Sequence, residues 1–214
     1  MELQRRAMVE RDIVRRGVRD ERVLAAMQHV PRDAFVPDEL LARAYEDGPL
    51  PIGQEQTISQ PYIVALMAEA LACGPRDRVL EIGTGSGYAA AVLSELVAEV
   101  YTVERHESLA LGAEARFHAL GYHNVFVRLG DGTLGWPEAA PFAAISVAAG
   151  GGHVPRALLD QLAIGGRLVI PVGETPARQE LLRVTRVGDH DYRRESLGAV
   201  VFVPLVGAEG VDRA

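Results

Sequence analysis

The sequence predicts an α/β protein built on a doubly wound, mostly parallel sheet, with a helical extension before it and antiparallel strands after it. Three observations carry this. Apolar strand-like runs alternate with helical stretches from residue 77 to about residue 175. The first of those strands runs directly into a glycine-rich turn and a helix, in LEIGTGSGY at residues 80–88. After Pro176 the pattern becomes strand alone. The length, 214 residues, suits one domain, 1–214. Its expected parts are N-terminal helices and a loop (1–60), a β-α core (61–175) and C-terminal strands (176–208).

The elements follow in order. Leu3, Ala7, Met8, Val9, Ile13 and Val14 recur at helical spacing until Gly17 breaks the run. Asp20 is the N-cap of a helix that turns Val23, Leu24 and Met27 inward and stops before Pro31. A third short helix starts near Pro37. The segment DGPLPIGQEQTIS at 47–59 has no period and is rich in Gly and Pro, so it reads as a loop long enough to carry function. Pro61 opens a helix to about Cys73, with Val64, Met67, Ala68 and Leu71 on one face.

The core then reads as strand RVLEIG, a helix over 87–96, strand EVYTVE, a helix over 108–120, strand NVFVRL, the turn GDG and strand FAAISVAA. A helix over 158–163 leaves through Gly165 and Gly166 into strand RLVIPVG. Three more strands follow: ELLRVTRV, then YRRESL after a turn at Gly188 and Asp189, then AVVFVPLV. Residues after about Glu209 are expected to be disordered.

Composition excludes several function classes. Lys plus Arg is 22 and Asp plus Glu is 29, a net charge of −7, which argues against general nucleic-acid binding. The N-terminal Arg5, Arg6, Arg11, Arg15 and Arg16 are interleaved with acids and read as a solvated helix face. No apolar run approaches the roughly 18 residues of a membrane span. The N-terminal MELQRRAMVERDIVRRG lacks the apolar centre of a secretory signal. One cysteine, Cys73, allows no intramolecular disulfide or cysteine metal site, and a reduced cytoplasmic setting is expected. The six histidines show no ligand spacing, so no metal is expected. Ser59 lies in no Gly-x-Ser-x-Gly elbow.

The chemistry concentrates in the glycine turn. Gly83, Gly85 and Gly87, with Thr84 and Ser86 between them, let the backbone turn sharply and approach a ligand. A dinucleotide fingerprint would place its third glycine at position 88, which is Tyr. A Gly-x-Gly-x-Gly turn after a strand carrying an acid, here Glu81, points instead to S-adenosylmethionine. Glu104 ends the second strand, where a carboxylate can accept bonds from both ribose hydroxyls. Asp131 ends the third, where it can accept from the adenine amino group.

With these motifs the chain resembles the protein-L-isoaspartate O-methyltransferases, a family of protein-repair carboxyl methyltransferases. The resemblance spans nearly the whole chain and rests on PIGQEQTISQP at 51–61, LEIGTGSGY, GDG, GRLVIPVG and VVFVPL. It implies a class I, Rossmann-like methyltransferase core with a family-specific strand order at the C-terminal edge. It implies methyl transfer from S-adenosylmethionine to the free α-carboxylate of L-isoaspartyl residues in damaged proteins, whose ester then cyclises to a succinimide. It maps Ser59 as the active-site hydroxyl, with Thr57 and Ile58 beside it. Gly83, Gly85 and Gly87 take the cofactor's amino-acid end, Glu104 and Arg105 its ribose, Asp131 and Gly132 its adenine. A monomer acting on isoaspartyl proteins and peptides, with no metal, is expected. Read locally, Ser59 is equally a cap or turn residue for the helix at Pro61.

Two departures stand out. Phe142 is followed by Ala143 where relatives often carry Asp, and Gly150, Gly151 and Gly152 suggest a looser loop. Competing readings are a methyltransferase of the same fold acting on another peptide carboxylate, and a non-catalytic protein that binds cofactor or a partner.

Overall fold

The computed structural model describes residues 1–175 and 177–211. Helix α1 (Glu2–Met8) continues through a π turn and a 3-10 turn until Gly17, whose φ of +107° ends it. Its apolar stripe is buried at Met8, Val9 and Ile13. Asp20 caps α2 (Glu21–His29), accepting from the N–H groups of Arg22 and Val23. The helix expected from Pro37 is a 3-10 helix, Asp38–Arg43, and a further 3-10 turn, Arg32–Phe35, precedes it.

The expected loop at 47–59 contains a hairpin, β1 (Leu50–Gly53) and β2 (Gln56–Ile58). Its turn residues are Gln54 and Glu55, at φ +53° and +58°. Two successive left-handed residues are the geometry of a hairpin turn, but the usual Asn-Gly marker is absent, so the sequence hides it. Pro61 then opens α3 (Pro61–Leu71) as expected.

The core follows as β3 (Arg78–Ile82), α4 (Tyr88–Ser94), β4 (Glu99–Glu104), α5 (Glu107–Leu120), β5 (Val125–Leu129), β6 (Phe142–Val147), α6 (Arg156–Asp160), β7 (Leu162–Thr175), β8 (Arg178–Arg186) and β9 (Tyr192–Val200). The sheet order is β5-β4-β3-β6-β7-β8-β9. The strands β3 to β7 are mutually parallel, and β8 runs against both its neighbours. Alternate residues feed two cores. Val79, Val100 and Val169 pack with α1 to α5, while Leu80, Val103 and Leu168 pack with α6 and the C-terminal segment.

Three expectations at the C-terminal half need correction. The helix expected to Ala163 stops at Asp160, because Leu162 already pairs with Phe142. Gly165 and Gly166 sit in an irregular stretch of β7, where the register with β6 shifts, and are no helix exit. The two last expected strands are one, β9, followed by a segment at 201–206 that leaves the sheet. Gly210 and Val211, expected to be disordered, are hydrogen-bonded, Gly210 N donating to Gly207 O and Val211 N to Leu205 O. Residues 212–214 lie outside the described residues.

Candidate active site

The chain leaves β3 toward β4 and later returns on the other side as β6, so the sheet order reverses between them. Open α/β sheets bind ligands at such a point. Here a cleft opens beyond the strand ends. Its floor is the turn after β3, with Gly83, Thr84, Gly85 and Ser86 in the wall. Gly83, Gly85 and Gly87 take φ of +92°, +54° and +95°. Gly87 is not part of the wall: a Cβ there would lie 2.7 Å from Phe117 Cζ, so this glycine serves the packing of α4 against α5.

Glu104 reaches the cleft from the end of β4 and is 5% exposed. Its Oε2 accepts from Gly85 N at 2.9 Å, and its Oε1 accepts from Arg105 N and His106 N at 2.8 and 2.9 Å. A carboxylate has about four acceptor sites, so capacity remains for a ligand hydroxyl. Arg105 and Gly132 also line the cleft. The Asp131 side chain does not. Its Oδ1 accepts from Thr133 N and Oγ1, and its Oδ2 from Ala208 N at 2.7 Å. Burial pushes its carboxyl up, but these donors and nearby Arg105 outweigh burial and hold it below the ordinary value. Asp131 thus ties the strand-end turn to the C-terminal segment.

Thr57, Ile58 and Ser59 border the cleft from β2 and its end. The α3 cap position is Gln60, so Ser59 is not the helix cap. Ser59 borders two further spaces. One is an open groove, which meets the cleft at Thr57, Ser59, Ala148, Val203 and Pro204. The other is a small inner space that reaches Glu81 and Ser146. Glu81 is fully buried and accepts from Thr102 Oγ1 at 2.6 Å. Burial, against the Thr102 hydrogen bond and with the Glu104 charge, pushes its carboxyl up to about 8.

The sequence missed part of this site. Val203, Pro204, Leu205 and Val206 roof the cleft. They are held by Gln179 of β8, which accepts from Phe202 N at 2.7 Å and donates to Phe202 O at 3.2 Å. Gly150 N donates to Val203 O, and Leu205 N to Gly150 O, both at 2.8 Å. A Cβ at Gly150 would land on the Gln179 amide. The stretch expected to be loose is therefore stitched down: Gly150 and Gly151 are buried, and Gly151 pairs with Val172. His106 also enters the cleft wall, with its Nε2 buried and without a hydrogen-bond partner among the described residues. Its place two residues after Glu104 was the available signal.

Residues 3–210 match the family model for protein-L-isoaspartate(D-aspartate) O-methyltransferase. The chain belongs to this family. A protein-L-isoaspartate O-methyltransferase 2 from Pelobacter propionicus is 61% identical over 98% of this chain and 93% of its own. A protein-L-isoaspartate O-methyltransferase from Rhodopseudomonas palustris is 61% identical over 95% of this chain and 93% of its own. Among solved structures, a protein-L-isoaspartate O-methyltransferase superposes with a TM-score of 0.87 at 30% identity, covering 98% of this chain and 67% of the other. One from Plasmodium falciparum, in complex with S-adenosyl-L-homocysteine, gives 0.81 at 25% identity, covering 94% and 98%.

Membership makes this chain a methyltransferase that uses S-adenosylmethionine, on the class I fold. The cleft suits that cofactor. It offers a buried carboxylate with spare acceptor capacity, a glycine turn for close backbone approach, and apolar walls at Ile82 and Val103. Among the described residues no group of three or more His, Cys, Asp or Glu could hold a metal ion.

Proposed function

We propose that this protein methylates the free α-carboxylate of L-isoaspartyl residues in damaged proteins and peptides, initiating their repair through a succinimide. The observation that carries this reading is the position of Ser59 where the cleft and the open groove meet. A transferase must bring donor and acceptor to one point, and these spaces share that point. Bound in the cleft, S-adenosylmethionine supplies an electrophilic methyl group on a sulfonium centre.

The chain's own residues do the positioning. An α-carboxylate is already ionised at neutral pH, so no side chain has to act as base. Ser59 Oγ donates to one carboxylate oxygen and fixes the attack angle of the other. Thr57 and Ile58 close the cleft from β2, and residues 203–206 roof it and exclude water. Glu104 and Arg105 hold the ribose end, and Gly83, Thr84, Gly85 and Ser86 the amino-acid end. Gly132 lies beside the adenine. Asp131 acts at one remove, by bracing the turn that carries Gly132.

The protein acts as a monomer in the cytoplasm, without nucleic acid or membrane. The net charge of −7 supports the first exclusion. Among the described residues no helix is long and apolar enough to cross a membrane. The test is incubation with S-adenosylmethionine and an isoaspartyl peptide beside its aspartyl twin, following base-labile methyl ester. Ester on the isoaspartyl peptide alone is the expected result. Ester on both, or on neither with cofactor bound, overturns the reading.

A further inference from the structure

We propose that the groove beside Ser59 favours isoaspartyl peptides that carry a second, acidic residue near the damaged one, with Arg16 and Arg178 as the specificity-determining cations. The inference rests on the reading of this groove as the peptide site. The chain as a whole is acidic, with 29 carboxylate residues against 22 basic ones. The groove reverses that balance: its lining contains Arg16 and Arg178 and no Asp or Glu. Its walls are also apolar, with Ile63 and Leu66 from α3, Leu197 from β9 and Phe202 from the segment after it. An extended peptide with apolar side chains and one extra carboxylate complements such a surface.

Arg16 is prepared for this role. Its guanidinium carbon lies 3.6 Å from the centre of the Tyr62 ring, which fixes the plane of the group. Asp47 takes one edge, through Nη1 at 3.1 Å. Gln60 Nε2 in turn donates to Asp47 O at 3.3 Å, so Arg16 is tied to the segment that carries Ser59. The Arg16 side chain still keeps 42% of its exposure, and a guanidinium has donors left after one ion pair. Arg178 opens β8, just before the Gln179 clamp, and is exposed. Among the described residues no carboxylate lies within ion-pair distance of it. Both cations are Arg, whose planar guanidinium fork matches a carboxylate at two points.

The experiment measures KM for a set of isoaspartyl peptides that differ in one flanking residue: Glu, Gln or Lys, placed in turn at each position. The isoaspartyl group is common to all, so its own carboxylate cancels. At one or more positions the Glu peptide should show a KM about two- to fivefold below the Gln peptide, the range of a half-exposed ion pair, with Lys above both. The preference should fade as ionic strength rises from about 0.05 to about 0.5 M. Within Arg16→Gln plus Arg178→Gln the Glu-to-Gln ratio should fall toward one, and Arg16→Glu should bring the Lys peptide ahead. Equal KM for Glu, Gln and Lys at every position, with the isoaspartyl peptides methylated, overturns this inference alone. Methylation of no isoaspartyl peptide overturns the proposed function and this inference with it.

Discussion

Glu81 offers a quantitative test, because a single buried carboxyl should dominate one stretch of the stability–pH curve. The side chain is 1% exposed, and among the described residues its one hydrogen-bond donor is Thr102 Oγ1, itself 2.6 Å from Thr84 Oγ1. Burial pushes the group from its ordinary 4.5 up to about 8. Between those values the folded chain holds a proton that the unfolded chain releases. The contribution is therefore complete below the unfolded value and is lost as pH rises through the folded one. Integrated over the whole window, the loss is of order 5 kcal/mol at most. In Glu81→Gln the carboxamide oxygen can still accept from Thr102, and the titration is gone. Urea unfolding of both proteins across pH 5 to 8.5 should show the variant gaining on the wild type as pH rises, by about 2–5 kcal/mol at the top. A difference that stays constant with pH would refute the argument that Glu81 is held neutral.

Ser59→Ala should lower kcat about ten- to hundredfold, the worth of one hydrogen bond to a charged group, with cofactor affinity by titration calorimetry unchanged. Full turnover would remove Ser59 from the mechanism. Asp131→Asn turns an amide donor toward the N–H of Ala208 or Thr133, and unfolding should show a loss of about 1–3 kcal/mol at neutral pH. Because the ionised form is favoured in the fold, that loss should shrink as pH falls below the ordinary value of 3.8. Gly150→Ala drives the Gln179 amide off Phe202 and should cost about 1–3 kcal/mol while raising the peptide KM. An unchanged KM would separate the clamp from the groove.

Much of the fold was legible because its signals are local. Asp20 caps α2, Pro61 opens α3, and the β-α alternation gives the parallel core, each within a few residues of sequence. The errors fall where distant pairing overrides local pattern. Leu162 and Ala163 continue an apolar run that reads as helix, but Leu162 pairs with Phe142 of β6 and the chain passes into β7 instead. The hairpin at β1 and β2 has neither alternation nor an Asn-Gly turn, so nothing short-range announces it. Gly198, which lies between YRRESL and AVVFVPLV in the sequence, sits within β9 at φ +116°.

The site divides along the same line. The motifs placed the turn after β3 and the carboxylate of Glu104 at one cleft, since both are fixed by where strands end. Asp131 also ends its strand, but a residue 77 positions away decides what its carboxylate does, and Ala208 takes one oxygen. Likewise Gln179 reads as one more strand residue. Its role exists only because Phe202, 23 residues later, offers both backbone groups to one amide, and because Gly150 has no side chain to obstruct it. Such a clamp leaves no period, spacing or charge pattern in the sequence. It nonetheless sets the roof of the cleft and one wall of the groove, since Val203 and Pro204 follow directly from Phe202 and border both. Gly150, the first of the three glycines that suggested a slackened site, is thus better understood as the space that lets a rigid roof be held in place.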